Sequence, residues 1–210
     1  MDLDKIMMWT RAERLGVADF LDDLDDQEWA ADSLCSGWTV HDVAAHLTLS
    51  NRVTLGATIT GVVRARGDWN RMTERMARDR ASRYAPAELI AQLREGAGWT
   101  RRAPGAGPPD PLVDTMIHGQ DIARPLGRRR DMPAEQAVVA LEHVLRSPFY
   151  GSKKRLRGVR VVVTDAEWSA GTGPEEIHGP LNDLLLLATG RAAGLAGVTG
   201  AGVQRLAKAL

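Results

Sequence analysis

Residues 37–47 read GWTVHDVAAHL, a stretch that predicts the beginning and the buried face of a helix. Thr39 is a typical N-cap, and Asp42 three residues later completes a capping box, with Asp in place of the usual Glu. Apolar residues recur at the helical spacing i, i+3, i+4 and i+7, at Val40, Val43, Ala44 and Leu47. This spacing gives the helix one apolar face, and the pattern extends the expected helix through Val62.

Outward from this stretch, residues 1–147 show the patterns of a mainly helical region. Amphipathic helices are expected near residues 6–21, 86–102, 110–127 and 133–147. Proline opens the last three, at Pro86, Pro111 and Pro133, where its missing N–H leaves no helical hydrogen bond unmade. Residues 22–28 are acidic, and a solvated loop is expected there.

The pattern changes after residue 147. Residues 159–163 read VRVVV and are mostly β-branched, which favours a strand. Residues 171–174 form a Gly/Pro turn, and residues 181–188 and 203–210 predict helices. The sequence therefore predicts a mainly α protein, with a helical bundle over residues 1–147 and a small α+β domain over residues 148–210.

Charge is balanced along the chain of 210 residues. Lys and Arg number 27, Asp and Glu number 27, and the formal net charge is zero. This balance argues against electrostatic binding to nucleic acid or to an anionic membrane surface. Seven arginines lie within residues 64–83, where they form either a solvated face or the mouth of a site for an anionic substrate.

Cys35 is the only cysteine, so no internal disulfide is possible and a reducing cytoplasm is the expected location. The N-terminus lacks the apolar run of a signal peptide, and no apolar stretch is long enough to cross a bilayer. A cysteine-rich zinc framework is excluded as well, so any metal has to use histidine and carboxylate ligands.

Residues 114–124 read DTMIHGQDIAR and place candidate metal ligands on one helix. Asp114 and His118 are four residues apart, so their side chains leave the same face, where Asp121 adds a third polar group. Together with His46 they supply one carboxylate and two imidazoles, enough for a metal site with an open coordination position. The spacing alone favours two other interpretations: a solvent-facing side for Asp114 and His118, and a hydrogen-bonded core position for His46.

These two stretches resemble the signatures of the mycothiol-dependent maleylpyruvate isomerase family, a branch of the DinB-like metal-binding bundles. The first resemblance covers residues 38–47, and the second covers residues 118–127, HGQDIARPLG. Residues 163–168 (VTDAEW), 171–173 and 186–191 (LLATGR) are similar to the family's small C-terminal domain. The likeness spans nearly the whole chain and implies a DinB-like four-helix bundle followed by a small α+β domain.

The resemblance implies that His46, Asp114 and His118 bind a divalent metal, with zinc as the expected ion. The family's carboxylate ligand is usually Glu, so Asp114 is one methylene shorter and reaches the metal either through a water or from a closer helix. Asp121 is a candidate for orienting a ligand or holding Arg124, and Arg124 is a candidate partner of an anionic substrate. No individual catalytic side chain is identified.

The resemblance further implies a mycothiol cofactor, whose sulfur binds the metal as a thiolate and attacks a small anionic or electrophilic substrate. The expected reaction is cis–trans isomerisation of the maleylpyruvate type, or thiol transfer to an electrophile. A non-catalytic metal- or ligand-binding regulatory module is the alternative, because no obvious general acid or base accompanies the ligands. The expected partners are small molecules, without nucleic acid or membrane, and the expected state is a monomer or homodimer.

Overall fold

The structure, a computed structural model, describes residues 2–210. The chain is mainly helical, as predicted, with a three-stranded sheet in its C-terminal part. Two compact units divide it, one up to Arg130 and the other over Asp131–Leu210. Within residues 2–210, no helix combines the length and the apolar character that a membrane crossing requires.

The described part of the first unit consists of helices and their connections. The helices are α1 (Leu3–Asp22), α2 (Asp26–Ala30), α3 (Val40–Leu49), α4 (Leu55–Arg64), α5 (Trp69–Ala81), α6 (Pro86–Gly96) and α7 (Asp110–Ala123). Helix α2 occupies part of the expected acidic loop, because Asp25 and Glu28 form a capping box that begins it.

Four of these helices form a bundle. Helix α1 packs against α6 and α7, and α3 packs against the same two helices. Val17 of α1, Leu47 of α3, Leu93 of α6 and Ile122 of α7 belong to one buried core. This arrangement confirms the predicted four-helix bundle, while α5 lies along α3 and carries α4 on its side.

Helix α3 begins with the predicted capping box. The Thr39 hydroxyl accepts a hydrogen bond from the backbone N–H of Asp42, and the Asp42 carboxylate accepts one from the backbone N–H of Thr39 at 3.0 Å. Two backbone N–H groups that the helix leaves unpaired are therefore satisfied. The apolar face that follows, including Val43 and Leu47, is buried as predicted.

The predicted continuation of this helix to Val62 is wrong. Helix α3 ends at Leu49, and the Thr54 side chain caps a separate α4 by accepting from the backbone N–H of Ala57. Between them, the Asn51 side-chain amide donates to the backbone carbonyl of Gly96 at 2.8 Å. The chain leaves the helix because this turn docks onto the end of α6.

The second unit is a small α+β arrangement. Its elements are α8 (Ala134–Arg146), α9 (Ser152–Arg155), β1 (Val159–Val163), β2 (Ser169–Ala170), β3 (Glu175–Gly179), α10 (Leu181–Ala188), a 3-10 helix (Ala192–Gly197) and α11 (Val203–Ala207). The strand order is β2-β1-β3, with β1 antiparallel to β2 and parallel to β3. Helix α10 packs against α8 and the 3-10 helix. The predicted domains, 1–147 and 148–210, assign α8 to the first domain. The two compact units divide after Arg130 and so assign α8 to the second unit.

Candidate metal centre

Helix α7 carries three of the candidate residues and is buried on nearly all sides. Asp114, His118 and Asp121 follow one another on one face, and His46 of α3 meets that face. The Asp121 side chain is 0% exposed, that of His118 is 12% exposed and that of Asp114 is 29% exposed. The solvent-facing interpretation of this face is therefore wrong, although enough of Asp114 is open for a small ion to reach it.

The Asp114 carboxylate lies between two imidazoles. Its Oδ1 atom is 3.4 Å from Nε2 of His46 and 3.4 Å from Nε2 of His118. The two imidazole ring centroids are 4.8 Å apart. Although Asp is one methylene shorter than the Glu that is usual in the resembled family, the Asp114 carboxylate contacts both histidines directly.

These separations suit a shared cation better than direct hydrogen bonds. Charge-assisted N–H···O bonds usually measure about 2.7–2.9 Å, shorter than the 3.4 Å observed on both sides of Asp114. Nitrogen and oxygen ligands lie about 2.0–2.2 Å from zinc, so two ligands of a tetrahedral ion are about 3.4 Å apart. The three residues therefore fit a divalent metal, both in spacing and in the chemistry of their donor atoms.

Asp121 fixes the orientation of His118. Nδ1 of His118 donates to Oδ2 of Asp121 at 2.9 Å. In the neutral, metal-binding form of His118 this bond places the proton on Nδ1, which leaves the lone pair of Nε2 directed toward Asp114. A carboxylate that holds the far nitrogen of a histidine is the usual support of a metal-binding imidazole.

Cys35 contacts the cluster beside Nδ1 of His118, the ring nitrogen that is bonded to Asp121. Its thiol donates to Oδ2 of Asp121 at 3.2 Å, and Sγ lies 3.6 Å from Nδ1 of His118. Two donor sets within residues 2–210 are compact enough for a metal: His46, Asp114 and His118, or Cys35, His118 and Asp121. The first set is favoured because Nδ1 of His118 is already bonded to a fully buried carboxylate, whereas Nε2 faces the partly open Asp114.

His46 is held by packing on its other side. The Trp38 ring approaches it edge-on, with centroids 5.4 Å apart and an interplanar angle of 64°. Nδ1 of His46 is buried and has no hydrogen-bond partner among residues 2–210. Asp121 accepts a hydrogen bond from His118, but no such acceptor among these residues supports the His46 imidazole. The packed Trp38 ring positions His46 instead.

The ionisation of the cluster follows from its burial and its charges. Burial raises the pKa of Asp114, but without a metal the charge of His46 and the long 3.4 Å hydrogen bonds from both histidines outweigh burial and hold that pKa well below its usual range. Burial lowers the pKa of His118, but the Cys35 sulfur and the hydrogen bonds to Asp114 and Asp121 raise it well above its ordinary value. The Asp114 carboxylate is therefore ionised, and it creates a position between the two histidines that attracts a cation.

Arg124, the candidate partner of an anionic substrate, is the C-cap residue of α7. Its Nε donates to Oε1 of Gln120 at 3.0 Å. Within the arginine-rich segment 64–83, Arg78 donates to the carbonyl of Gly37 at 2.6 Å and Arg80 lies over the ring of Tyr84. These contacts help to hold α5 in place.

Two further neighbours of the cluster, Cys35 and Trp38, are not identified by helical spacing. Both immediately precede the helix that carries His46, in a loop whose backbone is tied to α7 by the N–H of Leu34 donating to the carbonyl of Asp121 at 2.9 Å. The signal available in the sequence was their position at the entry of the first signature. Helical spacing cannot relate residues of a loop to residues of α7. The position of Cys35 and Trp38 beside the cluster is therefore seen only in the tertiary structure.

Comparisons with known proteins agree with this architecture. A sequence model described as the mycothiol maleylpyruvate isomerase N-terminal domain matches residues 10–136. A comparison with curated proteins finds no match. A crystal structure of the mycothiol-dependent maleylpyruvate isomerase is similar, with a TM-score of 0.61 and 17% identity over 96% of this chain and 93% of that one.

A mutant of the same isomerase gives a TM-score of 0.59 and 18% identity over the same shares of both chains. At these identities, the structural likeness concerns the fold. The family model covers well over half of the chain and includes all three candidate ligands. The chain therefore belongs to the family defined by the mycothiol maleylpyruvate isomerase N-terminal domain.

Proposed function

We propose that the protein is a mycothiol-dependent metalloenzyme in which His46, Asp114 and His118 bind one divalent metal, expected to be zinc. The observation that carries this proposal is the equal 3.4 Å spacing of Asp114 Oδ1 from the two imidazole nitrogens. Three protein ligands leave a coordination position open, which is the pattern of a catalytic rather than a structural zinc. When bound, the metal would lower the pKa of an incoming thiol and so favour its thiolate.

The reactive sulfur in this proposal belongs to mycothiol and not to the protein. Cys35 Sγ lies against Nδ1 of His118 and Oδ2 of Asp121, on the side of His118 away from Asp114. Its hydrogen is directed to a buried carboxylate, so Cys35 supports Asp121 and does not face the open side of the cluster. The protein's own residues would bind the metal, orient its ligands and offset its charge, while the small thiol supplies the nucleophile.

Both expected reactions share one step, the addition of sulfur to an electrophilic double bond. The carbon–sulfur bond forms and the π electrons move to the neighbouring carbon. In isomerisation, rotation about the new single bond and loss of the sulfur return a trans double bond. In thiol transfer, the neighbouring carbon takes a proton and the thioether is released. We propose that these small molecules are the protein's partners and that it works in the cytoplasm.

Asp121 and Arg124 provide a matched test of which neighbour supports the metal. We expect Asp121→Asn to weaken zinc binding by about 10–100-fold, the usual effect of losing the acceptor behind a metal-binding histidine. Arg124→Ala is expected to leave zinc affinity within about twofold, because Nε of Arg124 donates to Oε1 of Gln120, which is not a candidate ligand. Competition against a chromophoric chelator measures both. Equal affinity in Asp121→Asn and the unaltered protein would remove Asp121 from the site.

The activity itself is tested with zinc-loaded protein, mycothiol and two substrates. Thiol-dependent loss of maleylpyruvate absorbance is the expected sign of isomerisation, and thioether formation with an electrophilic alkene such as a vinyl ketone is the expected sign of transfer. Each rate should vanish when zinc is removed by a chelator and return when zinc is restored. Zinc binding with neither reaction would instead support the non-catalytic metal-binding module.

A further inference from the structure

A small pocket lies beside His46. It encloses about 80 Å³ and is bounded by the end of α3, by α4 and α5, and by the loop at residues 103–104. Most of its wall is apolar, formed by Leu49, Val53, Trp69, Met72 and Met76. Since His46 is a candidate ligand, the pocket is placed to receive the part of a substrate that does not react.

The hydroxyl groups in this pocket are already used. Each donates its hydrogen to a backbone carbonyl three or four residues earlier in the chain. The donors are Ser50 at 3.0 Å, Thr58 at 3.1 Å and Thr73 at 3.0 Å. Because a hydroxyl has one hydrogen to give, these side chains have no donor left for a substrate carboxylate.

Three arginines near the end of α3 are engaged elsewhere, and none of them lines the pocket. Arg14 donates to the carbonyls of Gly96, Ala97 and Trp99, and its Nη2 lies 3.5 Å from the hydroxyl oxygen of Ser50, behind the pocket wall. Arg52 pairs with Glu95 at 2.5 Å and lies over the ring of Trp99. Arg80 donates to Thr48 and Gln92. An anionic group in this pocket would therefore lose its hydration without direct contact with a guanidinium.

We infer that this pocket binds a short alkyl group, so that the site prefers an uncharged activated alkene to a dicarboxylate. An apolar cavity of about 150 Å³ accommodates benzene, and this pocket is about half as large, which suits roughly two to four carbons. Methionine side chains adapt to such groups because their bonds rotate freely and their sulfur is polarizable. The inference rests on the proposed thiol chemistry and specifies its substrate.

The corresponding reaction balances without an oxidant. The sulfur of the thiol bonds to the terminal carbon of a vinyl ketone, the π electrons move to the carbon beside the carbonyl, and that carbon takes the thiol's proton. The alkyl chain on the other side of the carbonyl occupies the pocket.

Two electrophiles of matched size test this preference in zinc-loaded protein with mycothiol. Hex-1-en-3-one ends in a methyl group, and 4-oxohex-5-enoate carries a carboxylate in its place. After subtraction of the uncatalysed reaction, we expect kcat/KM for hex-1-en-3-one to exceed that for 4-oxohex-5-enoate by about 10-fold or more. Met76→Lys should abolish or invert this preference, whereas Met76→Leu should retain it. Equal rates, or a preference for the carboxylate in unaltered protein, would overturn the inference.

A binding measurement tests the preference of the pocket for an alkyl group independently of the proposed reaction. Calorimetry with the unreactive analogues hexan-3-one and 4-oxohexanoate needs no catalysis, and hexan-3-one should bind more tightly by about 10-fold. If neither electrophile reacts, the proposed thiol transfer fails, and this comparison alone decides the pocket. Tighter binding of 4-oxohexanoate, or no effect of Met76→Lys on hexan-3-one binding, would contradict an alkyl-binding pocket.

Discussion

Replacing His118 with alanine is expected to reduce bound zinc from about one ion per chain to a small fraction of that value. The change removes Nε2, one of three donors around the cluster, and also leaves Asp121 without the imidazole that it orients. His46→Ala should have a comparable effect because it removes the donor on the other side of Asp114. Elemental analysis of protein equilibrated with zinc and passed through a desalting column gives the stoichiometry.

His178→Ala is the control for adventitious binding by histidine. His178 lies on β3 and pairs with Glu176 at 2.9 Å, so it is a histidine–carboxylate pair outside the cluster. This variant should retain the full stoichiometry. Full zinc occupancy in His118→Ala and His46→Ala, or loss of zinc in His178→Ala, would place the ion elsewhere in the protein.

Replacing Glu13 with glutamine is expected to lower the free energy of unfolding by about 3–5 kcal/mol, the usual effect of leaving one member of a buried ion pair without its partner. Glu13 Oε1 and Arg130 Nη1 are 2.5 Å apart, and their side chains are only 8% and 9% exposed. The pair joins α1 to the segment that follows α7, where Gln120 also donates to the Arg130 carbonyl.

The same pair explains a glycine beside His118. A Cβ added at Gly119 would lie 2.9 Å from Arg130 Nη1, so the guanidinium occupies the space that a larger residue would fill. The pair therefore fixes α7 directly next to a candidate ligand.

Urea unfolding followed by circular dichroism measures the change in stability, and two further variants control it. The double variant Glu13→Gln/Arg130→Met should recover part of the loss, because it no longer buries an unpaired charge. Glu74→Gln, in the exposed pair with Arg78, should cost about 0.5 kcal/mol or less. A loss of similar size in Glu74→Gln and Glu13→Gln would show that burial does not control the strength of these pairs.

Local signals in the sequence were sufficient for much of the bundle. The capping box at Thr39 and Asp42, and the apolar spacing through Leu47, depend on neighbouring residues alone, and both are present as predicted. The end of α3 could not be predicted from neighbouring residues, because Asn51 bonds the carbonyl of Gly96, which lies far along the chain. Short strands β2 and β3 were not predicted, since they exist through pairing with β1.

The candidate site shows where periodicity stops being informative. Spacing placed Asp114 and His118 on one face, but it could not distinguish a solvent-facing side from one that meets α3. Helix α7 is buried on nearly all sides, so no polar and apolar halves mark its orientation. Resemblance, rather than spacing, selected His46 as the third member, and only the fold places Cys35 against Asp121.

The most direct test of the metal centre is a crystal structure of zinc-soaked protein with anomalous data collected at the zinc edge. The proposal predicts one anomalous peak about 2.0–2.2 Å from Nε2 of His46, a carboxylate oxygen of Asp114 and Nε2 of His118. Asp121 should remain bonded to Nδ1 of His118. A peak bound by Cys35 and Asp121, or no peak near Asp114 at saturating zinc, would contradict it.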